Sequence, residues 1–184
     1  MSIHRPAGPN RAGLGFLRDA GGMVVFVMEW RYPREVGPIY VLTGAPGVGK
    51  STVARALAAR FQRAFVIPMD DLREWVVSGR EDPGPTWNDE TTRQFDLAYA
   101  ATADIADRYS QAGFAVIIDH VVFPDEEEKL RARLGNRHYR TVLLTCRSET
   151  NHHRNLTRTG KNMDPNDLAP LIDHVRQNLK PAVP

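Results

Sequence analysis

Gly44-Ala45-Pro46-Gly47-Val48-Gly49-Lys50-Ser51 fits the pattern G-x-x-x-x-G-K-[S/T] without a mismatch. Ile39-Tyr40-Val41-Leu42, just upstream, is a short apolar run rich in β-formers. Downstream, Ser51 to Phe61 reads as a helix with Val53, Leu57 and Phe61 at i, i+4 and i+8. Strand, glycine-rich loop and helix together form a cradle for phosphate. The glycines let successive N–H groups turn inward, and the positive end of the helix dipole adds to their field. Gly44 to Ser51 and the adjoining Thr52 are thus the expected binding residues for a nucleoside triphosphate. Lys50 is placed to reach its β- and γ-phosphates and Ser51 to ligate Mg²⁺. The competing reading, a glycine turn that caps an ordinary helix, leaves the Lys-Ser pair unexplained. A dinucleotide turn is excluded by spacing: it needs G-x-G-x-x-G, whereas glycines 44, 47 and 49 read G-x-x-G-x-G.

The 184 residues suffice for one α/β domain with a full core. A net charge of +2 gives no broad footprint for duplex nucleic acid, which weighs against such a partner without closing off single strands. Cys146 is the one cysteine, so no internal disulfide forms, and its apolar surroundings place it in the core. No apolar run approaches the ~18–20 residues of a membrane span. Glycines and charges interrupt any leader-like stretch near Arg5, Arg11 and Arg18, and a cytoplasmic protein, monomer or homodimer, is expected.

Residues 1–38 read as an N-terminal extension, partly disordered over 1–22, with an extra strand at 23–28; residues 39–184 form the main domain. Strand-like and helical patterns alternate through it. Residues 64–67 form a strand that ends at Met69-Asp70-Asp71, and a helix is expected over 71–77. A Gly/Pro-rich loop follows at 78–89, then a long helix over 90–111. A strand at 114–118 ends on Asp119-His120, and Pro124 opens a helix closed by Gly135. A fourth strand falls at 141–144, a helix capped by Ser148 runs to about Thr159, and another runs from Pro165 to near Lys180. Continuous apolar strands separated by helices imply a parallel sheet buried on both faces. Asp70, Asp119 and the segment after Cys146 then converge with the phosphate loop at one sheet edge.

Phosphoryl transfer needs a positioned acceptor, charge neutralisation and a group that takes the acceptor's proton. Asp70 at the second strand's end can serve as that base, and Arg73, nearly a turn on, can bind an anionic acceptor or steady the carboxylate. Alternatively one of Asp70 and Asp71 caps the helix. Asp119 reads as an acid that holds Mg²⁺ or orients a nucleophile. His120 reads as a surface or packing residue, and the adjacent His152 and His153 as surface groups. Arg154 and Arg158 lie one turn apart, either as a lid over the phosphates, with Lys161 assisting, or as a solvated basic face. Trp75 and Trp87 either wall an acceptor pocket or pack ordinarily.

With these residues the chain resembles, over about 39–180, the small P-loop kinases of the nucleoside-monophosphate-kinase-like group. Met69-Asp70-Asp71-Leu72 followed by Val116-Ile117-Ile118-Asp119 looks like the chloramphenicol phosphotransferase family, which implies that Asp70 is the base for a substrate hydroxyl. Asp70-Asp71-Leu72-Arg73 is also similar to the D-x-x-R of 5′-polynucleotide kinases, and tunicamycin-resistance-type proteins share the layout. The resemblance implies an α/β, three-layer P-loop NTPase fold: a mostly parallel sheet flanked by helices, with a helical lid that carries Arg154 and Arg158. Members of the group usually have a fifth strand after the lid-side helix; residues 180–184 do not read as one, and 23–28 is a candidate for that sheet edge. The expected activity is transfer of the γ-phosphate of ATP, with GTP as the alternative, to the hydroxyl of an antibiotic- or nucleoside-like small molecule. The competing readings are a 5′-hydroxyl nucleic-acid or nucleotide kinase and a nucleotide-binding regulatory protein without transfer.

Overall fold

The computed structural model describes residues 36–82, 87–135, 139–157 and 165–179, and the backbone of two strands, β1 (Gly13–Arg18) and β2 (Val24–Glu29). These two pair antiparallel, Gly13 opposite Glu29 and Arg18 opposite Val24, in a sheet of their own. The 23–28 segment therefore does not fill the edge of the main sheet: its hydrogen-bonding partner is the segment just before it. The rest of the 1–22 stretch lies outside the described residues.

The main sheet has four parallel strands in the order β4-β5-β3-β6: β3 (Ile39–Thr43), β4 (Ala64–Pro68), β5 (Ala115–Asp119) and β6 (Tyr139–Leu143). The helices are α1 (Lys50–Ala58), α2 (Met69–Glu74), α3 (Asp89–Gln111), α4 (Pro124–Leu134), α5 (Ser148–Leu156) and α6 (Pro165–Asn178). Every residue of β3 and β5 is buried, as their unbroken apolar runs require when helices cover both faces. One core layer gathers Ile39, Val41, Val116 and Ile118 with Met69, Tyr99, Ala103 and Leu130. The opposite layer gathers Tyr40, Leu42 and Ile117 with Val53, Leu57 and Leu144. The even and odd positions of β3 divide between these layers as a period of two demands. On α3 the buried positions include Ala98, Ala103 and Ala106, whose small side chains allow a close approach to the sheet.

Two expected helix starts shift. α2 begins at Met69, directly off the strand, with Pro68 at its N-cap and no side-chain cap. Asp70 and Asp71 therefore sit in the first turn and neither caps it. Arg147, not Ser148, occupies the N-cap of α5, and no side chain caps that helix. No helix among the described residues is long and apolar enough to cross a membrane.

Candidate active site

The strand order decides what meets what. β5 lies between β3 and β4, and Asp119 stands opposite Leu42 on one side and Pro68 on the other. The phosphate loop leaves β3 and α2 leaves β4, so both flank Asp119. A cavity of about 640 Å³ opens there, lined by loop residues 46, 47, 49 and 50 and by Ser51, Thr52, Arg55, Asp70, Asp71, Asp119 and Arg154.

The loop has the conformation its glycines permit. Gly44, Gly47 and Gly49 have φ of 141°, 81° and 107°. A Cβ at Gly44 would come within 2.4 Å of the Leu144 carbonyl oxygen, so only glycine fits. Lys50 folds back over the loop, its Nζ donating to the carbonyls of Gly44 (2.8 Å) and Ala45 (3.3 Å). Ser51 and Thr52 are exposed at the start of α1, on the cavity wall.

Contacts from distant segments brace the loop. Asn151 of α5 is fully buried, and its Nδ2 donates to the Pro46 carbonyl. Arg176 of α6 donates to the Cys146 carbonyl at 2.8 Å and to Asn151 Oδ1 at 3.4 Å. Arg154 Nη1 donates to the Val48 carbonyl at 3.4 Å. Thr43 Oγ1 both donates to the Val122 carbonyl (3.1 Å) and accepts from its N–H (2.9 Å), which ties the ends of β3 and β5. Sequence reasoning missed Asn151, Arg176 and Thr43, because nothing local marks them.

Asp70, Asp119 and Arg154 thus meet Lys50 and Ser51 around one space. Arg158 and Lys161 lie outside the described residues. Arg73 does not line the cavity. Its guanidinium is buried, centred 3.9 Å from the Phe95 ring, and donates to the Glu81 carbonyl. Burial lowers its pKa, while the charges of Asp82 and Asp70 act in the opposite sense. Trp75 is 72% exposed; Trp87 packs on Phe95 at 4.9 Å and donates from Nε1 to Thr92 Oγ1. His120 is buried, not superficial: its Nδ1 lies 3.1 Å from Asp70 Oδ1. His152 reaches across to Asp173 of α6, at 3.1 Å.

A parallel sheet with a glycine-rich phosphate loop between its first strand and helix, and acids at the neighbouring strand ends, defines a P-loop fold of the kinase type. The chain belongs to the AAA domain family, whose profile matches residues 39–180. Among solved structures it is similar to a gluconokinase from Sinorhizobium meliloti 1021, with 21% identity and a TM-score of 0.53 over 80% of this chain and 77% of that one. It is also similar to a sugar kinase from Janibacter sp. HTCC2649, with 22% identity and a TM-score of 0.58 over 81% and 80%. Comparison with curated protein sequences gives no significant match.

Proposed function

We propose that the protein is a kinase that transfers the γ-phosphate of ATP to the hydroxyl of a small molecule, with Asp70 as general base. The observation that carries this reading is the convergence of Asp70, Asp119, Lys50 and Ser51 on one cavity. The loop amides and Lys50 bind the triphosphate, and Arg154 neutralises charge on the transferring group. Ser51 and Asp119 offer only oxygen donors and open on the same space, which suits Mg²⁺, an ion that keeps several waters and takes its remaining ligands from phosphate. Held there, such an ion would supply charge neutralisation for the triphosphate. The carboxylate of Asp70 takes the acceptor's proton as the acceptor oxygen bonds to phosphorus and the bond to the β–γ bridging oxygen breaks. Arg73, engaged with the Glu81 carbonyl and Phe95 and away from the cavity lining, acts on Asp70 through its charge and does not grip the acceptor.

The acceptor class is open to direct measurement. Nucleotide turnover with Mg²⁺-ATP and Mg²⁺-GTP is assayed against sugars, hydroxyl-bearing antibiotics, nucleosides and 5′-hydroxyl oligonucleotides. Stimulation by one class identifies the acceptor. Asp70→Asn is expected to lower the transfer rate about 10²–10⁴-fold while nucleotide affinity holds. Full transfer by that variant removes Asp70 from the role of base. Nucleotide binding with no stimulation by any class favours the regulatory reading.

A further inference from the structure

Successive strand residues face opposite sides of a sheet, and the end of β5 uses both. Asp119 lines the cavity, while His120, whose N–H continues the ladder to the Leu42 carbonyl at 3.3 Å, turns toward α3. There it is 93% shielded from solvent, with Tyr99 edge-on at 5.7 Å and Phe95 at 6.2 Å. Its Nδ1 meets Asp70 Oδ1 at 3.1 Å, although the Asp70 side chain is itself 54% exposed. A carboxylate this exposed takes its orientation from the groups that contact it. The His120 contact comes from a ring confined by aromatic neighbours and carried by the residue that directly follows β5, which is a rigid mount.

We propose that His120 is a positioning residue for Asp70. Its Nδ1–H donates to one carboxylate oxygen and fixes the orientation in which Asp70 faces the acceptor. The inference rests on the reading of Asp70 as base. In the transfer step the acceptor O–H bond breaks, its proton passes to Asp70, the oxygen–phosphorus bond forms, and ADP departs with the electron pair of the broken bond. His120 gains and loses nothing; it holds the carboxylate still. A neutral imidazole can place its proton on either nitrogen, and the contact with Asp70 selects Nδ1.

The first test needs no acceptor. Long-range proton–nitrogen NMR on the ¹⁵N-labelled full chain, with the His120 signals assigned by comparison with His120→Asn, reads which ring nitrogen carries hydrogen. Nδ1 is expected to be protonated in the native protein and to lose that hydrogen in Asp70→Ala. An unprotonated Nδ1 in the native protein overturns the proposal. The second test compares turnover of Mg²⁺-ATP, with water or a stimulating hydroxyl compound as acceptor, in His120→Phe, His120→Asn and Asp70→Asn. Phenylalanine fills the aromatic nest without a donor; asparagine places an amide N–H near the position of Nδ1. His120→Phe is expected to lower kcat about ten- to hundredfold with nucleotide affinity unchanged, and His120→Asn to restore most of it. If Asp70→Asn is inactive while His120→Phe turns over normally, the base reading stands and the positioning role falls. If Asp70→Asn retains full turnover, the base reading falls and the positioning role with it.

Discussion

Asn151 shows how a phosphate loop borrows rigidity from outside itself. Its amide donates to Pro46 across 105 positions of sequence and in turn accepts from Arg176. A Cβ at Gly47 would stand 3.1 Å from the same Asn151 amide, so the loop and α5 are fitted closely. Asn151→Ala leaves a buried carbonyl without its donor and opens a small void, at a cost of about 1–3 kcal/mol. Thermal denaturation and an ATP titration together check this: a lower Tm with a weakened nucleotide affinity is expected. Unchanged affinity would show that the loop holds its shape unaided. Gly44, Gly47, Gly49, Lys50 and Ser51 were legible as a set because their geometry is local. Asn151 carried no such signal, since an asparagine in a polar helix reads alike whether it faces solvent or a loop.

Helices tested the reading at their ends. α3 begins as a local cap dictates: Asn88 Oδ1 accepts from the Thr91 N–H at 2.8 Å. Asn88→Ala is expected to cost about 1 kcal/mol, seen as a lower Tm. Two residues after Asn88, Glu90 accepts from Arg93 and from Gln94, which in turn donates to the Gly79 carbonyl and accepts from Glu81 N–H. Those hydrogen bonds, Arg93 first, hold the Glu90 carboxyl at about 2, below its usual 4.5. A depressed folded-state pKa means that the contribution is present in full above pH 4.5 and is lost as pH falls toward 2. The Tm difference between the native protein and Glu90→Gln should therefore shrink across that window; a constant difference would contradict it. The start of α2 escaped the sequence because a strand that turns straight into a helix leaves no loop residues to mark the boundary. Asp70 and Asp71 then face the favourable end of a helix instead of capping it.

At the scale of the molecule, the site exists only while the sheet keeps its order. Nucleotide binding to the assembled cavity should raise Tm with Mg²⁺-ATP concentration, by about 2.7 kcal/mol of stability at a hundred times Kd. Lys50→Ala is expected to abolish most of that rise, because the Lys50 ammonium lies on the cavity lining beside the carbonyls of Gly44 and Ala45. An equal rise in both proteins, followed by calorimetry, would remove Lys50 from nucleotide binding. Ile118→Ala, deep in β5, acts differently: it should cost about 2–5 kcal/mol of stability whatever the ligand. The sequence by itself determined the phosphate loop, the parallel α/β class and the acids at the strand ends, because each depends on residues adjacent in the chain or on a short hydrophobic period. Only the tertiary structure decided that β5 separates β3 from β4, and with it that Asp119 stands between Leu42 and Pro68. The same packing turned Arg73 onto Phe95 and His120 onto Asp70. Strand order and side-chain partners across the sheet arise from how the layers pack, and no run of neighbouring residues encodes that.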